Sequence, residues 1–474
     1  MSLVPGVEPT GNVHEVVAPF DLSPIGKIDS ADAQIVEVAV ANADRLYRDK
    51  SSWLPTWERI AILEKAAELL TERAEEFALE SAREGGKPLM DSKVEVARAI
   101  DGIKNCIEVL RTQHGEEIPM GLNTSSANRL AFTSHEPIGP VLAYSAFNHP
   151  TNLIIHQVFP AVAVGCPVIV KPAADTPLSC FRLVELLHEA GLPPEWCQAV
   201  VIKDRSLATN LVGDNRFGFF SFIGSGEVGW MLRSKLAPGT RCALEHGGVA
   251  PVIVSHDADL DQAVPALTKA GFYHGGQVCV SAQRFYIHEK IFDPFKDRIV
   301  KEAGKIKTGD PTLAETGSGP LIRPKECDRV EQWVDQARQA GATIACGGKK
   351  ISATCYEPTV VVSPPEDSQL SQEEVFGPVI CLYPYSELSD AIRRANQLPV
   401  SFQAAVYSSN MDTIMQCYRG LNGSAIMAND HTAFRVDWMP FAGLKVSGHG
   451  TGGIPHTMRD MQIEKMLVLK SNSI

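Results

Sequence analysis

No apolar run in this 474-residue chain approaches the roughly 18 residues that mark a membrane-spanning helix. Residues Met1 to Pro19 lack a basic start followed by an apolar core, so no secretory signal is expected. The 11 cysteines are odd in number and scattered, without a Cys-x-x-Cys pair. That excludes a disulfide framework and a zinc ribbon, and a reducing, cytoplasmic compartment is expected. No histidine, cysteine or carboxylate has metal-ligand spacing, so no metal is expected. Positive charge is also short: 44 Lys and Arg face 56 Asp and Glu, a net −12. A nucleic acid or an anionic membrane is therefore not an expected partner. There is no internal repeat and no low-complexity tract. What remains is a globular composition, 44% hydrophobic and 21% charged, long enough for two or three domains.

Residues 1–30 carry four prolines and little periodicity, which predicts an arm lying over the surface. Asp32 to Lys50 reads as a helix. After Pro55, Ile60, Leu63, Ala67, Leu70, Ala74 and Phe77 recur at spacings of three and four, one apolar stripe that ends at Glu84-Gly85-Gly86-Lys87-Pro88. A third helix, about Met90 to Arg111, has Arg98 off its stripe, where Glu95 or Asp101 could pair with it. From Val141 the pattern alternates. Strands are predicted at Val141–Phe147, Val168–Lys171, Ala199–Ile202 and Phe217–Ile223, with helices from Leu153 to Val164 and from Pro177 behind the N-cap Thr176. The alternation restarts near Ala250, and a second α/β unit is expected over roughly 248–446. This is an α/β chain with largely parallel sheets covered by helices, whose ligands bind at the C-terminal ends of strands. The last segment, Glu464–Lys470, reads as a strand with nothing local to pair with.

Gly275-Gly276-Gln277-Val278-Cys279-Val280-Ser281 places a cysteine in a glycine-flanked loop. Such a cysteine can be a nucleophile whose own N–H binds an oxyanion, or simply a small buried hydrophobe. Gly224-Ser225-Gly226-Glu227-Val228-Gly229 follows a strand and precedes a helix. It reads as a phosphate-binding turn with Glu245 on a ribose, or as a structural turn. Leu244-Glu245-His246-Gly247-Gly248 puts a carboxylate in a glycine-lined stretch, either a base or a surface acid. His246 reads as a packed or hydrogen-bonded histidine. Asn148 after Phe147 could donate to an oxyanion or open a turn before Pro150, and Lys171 could reach a ribose or be solvated.

Together, and in this order, these motifs resemble the aldehyde dehydrogenase superfamily over about residues 20–474. The resemblance rests on Glu84 to Pro88, Phe147-Asn148, Val170-Lys171-Pro172, Phe222 to Gly229, Glu245 to Gly248, Gly276 to Cys279, Glu374-Val375-Phe376-Gly377-Pro378 and Pro440-Phe441-Ala442-Gly443. It implies a Rossmann-like cofactor domain (1–115 and 137–247), an α/β catalytic domain (248–446) and a small β oligomerisation arm (116–136 and 455–474), assembled as a homodimer or homotetramer. It also implies oxidation of a small-molecule aldehyde with NAD or NADP. Cys279 would attack, Asn148 and the Cys279 N–H would hold the oxyanion, and Glu245 would activate water. Lys171 and Glu374 would bind ribose hydroxyls, Ser225 and Gly224 would meet the pyrophosphate, and Phe376 and Phe147 would flank the nicotinamide. A CoA-acylating relative, a silent scaffold on the same fold and a cysteine hydrolase are the competing expectations.

Four departures from the family pattern matter. Ala174 stands where an acid commonly follows the cofactor lysine, which admits NADP beside NAD. His246 replaces a leucine, Val249 a common lysine, and Gly452 a second glutamate, so Glu245 stands without a proton relay. The stretch Asn429 to Pro440 looks like that of phosphonoacetaldehyde and other acid-aldehyde dehydrogenases. By resemblance, Arg435 and Arg98 fall on opposite walls of the substrate tunnel, where they would bind an anionic tail. Val278 stands where phosphonate-handling relatives often carry arginine.

Overall fold

In a computed structural model, residues 3–474 are described, and two mixed sheets dominate. The first has six strands in the order Gly448–His449, Arg241–Glu245, Phe219–Ile223, Val141–Tyr144, Val168–Lys171, Cys197–Ala199. All pairs are parallel except the first. Side chains alternate across it with period two. Val141, Ala143, Val168 and Val170 enter one core with the helices Thr56–Glu72, Leu89–Thr112, Asn152–Val164 and Pro177–Glu189. Leu142, Tyr144 and Ile169 enter the other, with the helix Ala33–Arg48. The strands are apolar on both sides because both faces are covered.

The second sheet has seven strands, ordered Thr343–Cys346, Thr359–Val362, Val379–Tyr385, Ala282–His288, Ala250–Val254, Gln403–Tyr407, Ala425–Ala428. Only its first pair is antiparallel. The orphan terminal strand, Gln462–Lys470, pairs antiparallel with Arg129–Pro137 along its whole length. Glu117–Ile118 lies on the far side of that pair. Met466, Leu467, Val468 and Leu469 remain exposed on it.

Four sequence expectations change. The N-terminal arm is a hairpin, Val13–Val17 against Pro24–Asp29. The helix after Pro55 is two helices, Thr56–Glu72 and Ala74–Gly85, broken at Arg73. The strand at Ala199–Ile202 lies earlier, at Cys197–Ala199, and Val141–Phe147 ends at Tyr144, so that Ala146 to Asn148 leave the sheet as a loop.

Two buried carboxylates tie the helices down. The Thr176 side chain makes no capping bond. Instead Glu84, from the glycine-terminated helix end, accepts from the backbone N–H groups of Leu178 and Ser179 and from the Ser179 hydroxyl. Glu95 accepts from the N–H groups of Thr151 and Asn152 at 2.9 Å each. Its other oxygen takes the fully buried Lys87 ammonium at 2.5 Å. Capping from a distant helix satisfies donors that no local side chain reaches. Glu95→Ala leaves a buried ammonium unpaired and two helix donors unmet. It is expected to destabilise the protein by about 3–5 kcal/mol, readable as a lowered urea midpoint.

Candidate active site

The site lies where two sheet edges meet. The six-stranded sheet contributes the C-terminal ends of its strands: Tyr144 and the loop to Asn148, Lys171, Gly224 beyond Ile223, and Glu245. The seven-stranded sheet contributes residues before its strands begin: Cys279 ahead of Ala282, and Glu374 and Phe376 ahead of Val379. The expectation that ligand groups sit at C-terminal strand ends therefore describes only half of this site.

Close backbone approach shapes the nucleophile loop. Gly276 has φ +75°, and a Cβ there would stand 2.0 Å from the Gly377 carbonyl oxygen. Gln277 anchors the loop. Its side chain donates to the Pro320 carbonyl at 3.1 Å and accepts from the Ile322 N–H at 3.0 Å. Its own carbonyl accepts from Asn148 Nδ2 at 2.9 Å. One Asn148 N–H is thus committed and the other is free.

Cys279 and Glu245 line two cavities at once. The larger, about 910 Å³, is an elongated cleft that brings together Lys171, Ser225, Gly224, Glu374, Phe376, Phe147 and Asn148. The smaller, about 230 Å³, is lined by Arg98, Arg435, His156, Tyr273, Val278 and Phe441 among others. Burial pushes the Cys279 thiol well up, and the nearby Glu245 and Glu374 carboxylates push it further, against the pull of Arg435. Burial also raises Glu245, again opposed by Arg435.

The cleft fits a dinucleotide. Glu374 is pushed up to about 8 by burial, and its Oε1 is a buried acceptor without a partner. A Cβ on Gly247 would fall 1.9 Å from Glu374 Oε2, so only glycine leaves room for that carboxylate. Phe147 and Phe376 meet edge to face, centroids 5.8 Å apart, and Phe376 holds the left-handed φ of 45° that is uncommon outside glycine. Lys171 Nζ sits 5.1 Å over the Tyr144 ring, and desolvation lowers its pKa. His246 is packed, with Nδ1 donating to the Gly224 carbonyl at 2.9 Å. No group of three or more metal-ligating side chains occurs among the described residues, and no helix of the described residues is long and apolar enough to cross a membrane.

Sequence reasoning missed what lies behind the two arginines. Arg98 does not pair with Glu95 or Asp101. Its Nη2 and Nε donate to Asp437 at 2.6 and 3.2 Å. Asp437 is fully buried and also accepts from His156 Nε2 at 2.7 Å and Asn152 Nδ2 at 3.3 Å. Asn152 and His156, four apart on a buried helix, share one face. That spacing was the available signal.

A cysteine between a dinucleotide-sized cleft and a small cavity that holds two arginines, on two largely parallel sheets, is the arrangement of a nicotinamide-dependent oxidoreductase. Residues 7–467 match the profile of the aldehyde dehydrogenase family, and the chain belongs to it. The 3-sulfolactaldehyde dehydrogenase of Priestia aryabhattai is 36% identical over 463 residues, covering 98% of this chain and 96% of the relative. The crystal structure of aldehyde dehydrogenase 21 from Physcomitrella patens, in complex with the reaction product succinate, superposes with TM-score 0.95 at 33% identity, covering 99% and 97% of the two chains. Glyceraldehyde-3-phosphate dehydrogenase from Methanocaldococcus jannaschii DSM 2661, complexed with NADP, gives 0.91 at 31% identity, covering 96% and 99%. The protein is accordingly an aldehyde dehydrogenase, an oxidoreductase acting on the aldehyde group with NAD or NADP.

Proposed function

We propose that this enzyme oxidises a short aldehyde with an anionic, semialdehyde-like tail to the carboxylic acid, through a covalent cysteine intermediate. The observation that carries the reading is the placement of Arg98 and Arg435 on the same small cavity as Cys279. Guanidinium groups favour planar anions such as carboxylates. The named relatives are consistent with it, one being a sulfolactaldehyde dehydrogenase and another having succinate bound as its reaction product.

In this mechanism the Cys279 thiolate bonds to the aldehyde carbon. The carbonyl oxygen becomes an oxyanion beside the free Asn148 N–H and the Cys279 backbone N–H. The carbon then loses its hydride and becomes a thioester. A bound nicotinamide dinucleotide supplies the hydride acceptor, held by Lys171 and Glu374 at ribose hydroxyls, by Gly224 and Ser225 at the pyrophosphate, and by Phe147 and Phe376 at the ring. Glu245 takes a proton from water, the water oxygen bonds to the acyl carbon, and the C–S bond breaks to release the acid. Glu245 at the cavity junction supports water over CoA as the acyl acceptor. The cleft lining includes His14, Lys171, Lys203 and Arg205, and Ala174 where the family pattern commonly has an acid. Its carboxylate Asp175 is held by Arg323. That charge supports NADP as readily as NAD. On the same reading, 1–115 with 137–247 form the cofactor domain and 248–446 the catalytic domain. The arm of 116–136 and 455–474, with its exposed strand, joins copies into a dimer or tetramer.

The test is Arg435→Leu assayed on succinic semialdehyde and on propanal. Losing one charge-assisted interaction costs about 1.5–3 kcal/mol. A 10- to 100-fold fall in kcat/KM for the semialdehyde, with a much smaller change for propanal, is therefore expected. Equal losses on both would remove the anionic-tail reading.

A further inference from the structure

The two arginines are not equivalent. Arg98 turns two of its donors, Nε and Nη2, onto Asp437. Arg435 approaches the same carboxylate only through Nε, at 3.7 Å, beyond hydrogen-bonding distance. No side-chain hydrogen bond of Arg435 occurs among the described residues. Its guanidinium instead lies over the Phe441 ring, 3.5 Å from the centroid, with the side chain 10% exposed. It is a nearly buried cation whose donors are uncommitted and which lines the Cys279 cavity.

The other titratable groups around this end include three histidines, the Asp91–Lys269 couple and Glu245. Burial lowers His156, and it donates Nε2–H to Asp437, which as a carboxylate can only accept. His149 and His431 are also pushed down by burial. Asp91 is raised to about 6 by burial, and Lys269 pulls it the other way. Burial raises Glu245. For Asp437, burial works against ionisation, but the donors of His156 and Arg98 overcome it and hold the carboxyl well below its usual range. Apart from Lys269, which is exposed at the cavity and faces Asp91, and Glu245 at the junction with the cleft, two guanidiniums therefore face one buried carboxylate.

We propose that Asp437 sets the charge of the substrate tail. It neutralises Arg98 and leaves Arg435 as the single uncommitted guanidinium, Lys269 being exposed to solvent, so the cavity selects a monoanionic tail (a sulfonate or a carboxylate) over a dianionic one such as a fully ionised phosphonate or phosphate. Asp437 acts as a positioning residue, because it is fully buried and works through the arginines. A second negative charge on the ligand would find no unshared guanidinium and would lie near a fixed carboxylate, a like-charge juxtaposition that disfavours binding. The proposal rests on the anionic-tail reading above and narrows it.

The test separates the two. Ethanesulfonate and ethylphosphonate have nearly the same size and lack a reactive aldehyde. At a pH above the second phosphonate ionisation they differ by one charge. Each is titrated for its ability to slow alkylation of Cys279 by iodoacetamide. Wild-type protein is expected to be protected by ethanesulfonate at concentrations about tenfold lower than by the phosphonate dianion. Asp437→Asn, which keeps the shape and removes the charge, is expected to shrink that ratio to about twofold or to invert it. A merely structural role would weaken both anions together and leave the ratio unchanged. Equal or better protection of wild-type protein by the phosphonate overturns the proposal and leaves the anionic-tail reading standing. Protection by neither removes both. The wild-type comparison decides the matter even where the variant folds poorly.

Discussion

Replacing Cys279 by alanine is expected to abolish aldehyde-dependent cofactor reduction, lowering kcat by roughly four or more powers of ten. The loss should be this large because no second nucleophile shares the junction of the two cavities. The other polar side chains that line both cavities are Glu245, the proposed base, and His149, a buried imidazole. Binding of the dinucleotide, followed by fluorescence, should be retained, since Lys171, Glu374 and the Gly224–Ser225 turn line the cleft and stay in place when the thiol is removed. The wild-type pH profile carries the same assignment. The thiolate is the reactive form. Burial and the Glu245 and Glu374 carboxylates raise the Cys279 pKa, so the thiolate fraction grows only as pH rises. Glu245 is raised too, so its basic form also grows with pH. Both signs agree: kcat/KM should climb through neutral pH toward the ordinary thiol range. A profile that falls over this span, or an alanine variant that retains turnover, would place the nucleophile elsewhere.

What could be read in the sequence follows from how locally each feature is encoded. The tight Cys279 loop was legible because close backbone approach demands glycine, and glycines at Gly276 and Gly247 leave marks in any sequence. The strand Val168–Lys171 fell where expected, being a short apolar run bounded by turns. The break at Arg73 was not legible. Leu70, Ala74 and Phe77 keep a spacing of three and four across it, so the apolar stripe hides the change of helix. The hairpin at Val13–Val17 was hidden by prolines, which read as irregular chain.

Contacts between distant segments left still less trace. Glu84 caps a helix that begins at Pro177, and Glu95 caps one that begins at Asn152. Neither carboxylate differs in sequence from a solvated acid on a helix surface. Arg98 was expected to pair within its own helix and instead reaches Asp437, which the fold alone brings close. The substrate end of the site is thus a tertiary construction, while the reactive end is a set of local motifs.

Glu245→Gln should separate the two halves of the reaction. The amide cannot take a proton from water, so deacylation is expected to slow by about 10²- to 10⁴-fold. Acylation needs only the thiolate, the oxyanion donors and the hydride acceptor, none of which is Glu245. Rapid mixing should then show a burst of reduced cofactor close to one equivalent per active site, followed by a much slower steady state. The acyl-enzyme should accumulate and be visible by intact-protein mass spectrometry. The environment favours this assignment. Glu245 ends the strand Arg241–Glu245 in register with Gly448. Gly452 lies close by, where a Cβ would come within 3.5 Å of Glu245 Oε2, and it offers no second carboxylate to take over the proton. A different outcome is equally informative. If the burst itself slows as much as the steady state, Glu245 acts before the thioester forms, as the base that deprotonates Cys279. The raised thiol would then owe its activation to the same carboxylate that, as an anion, raises it.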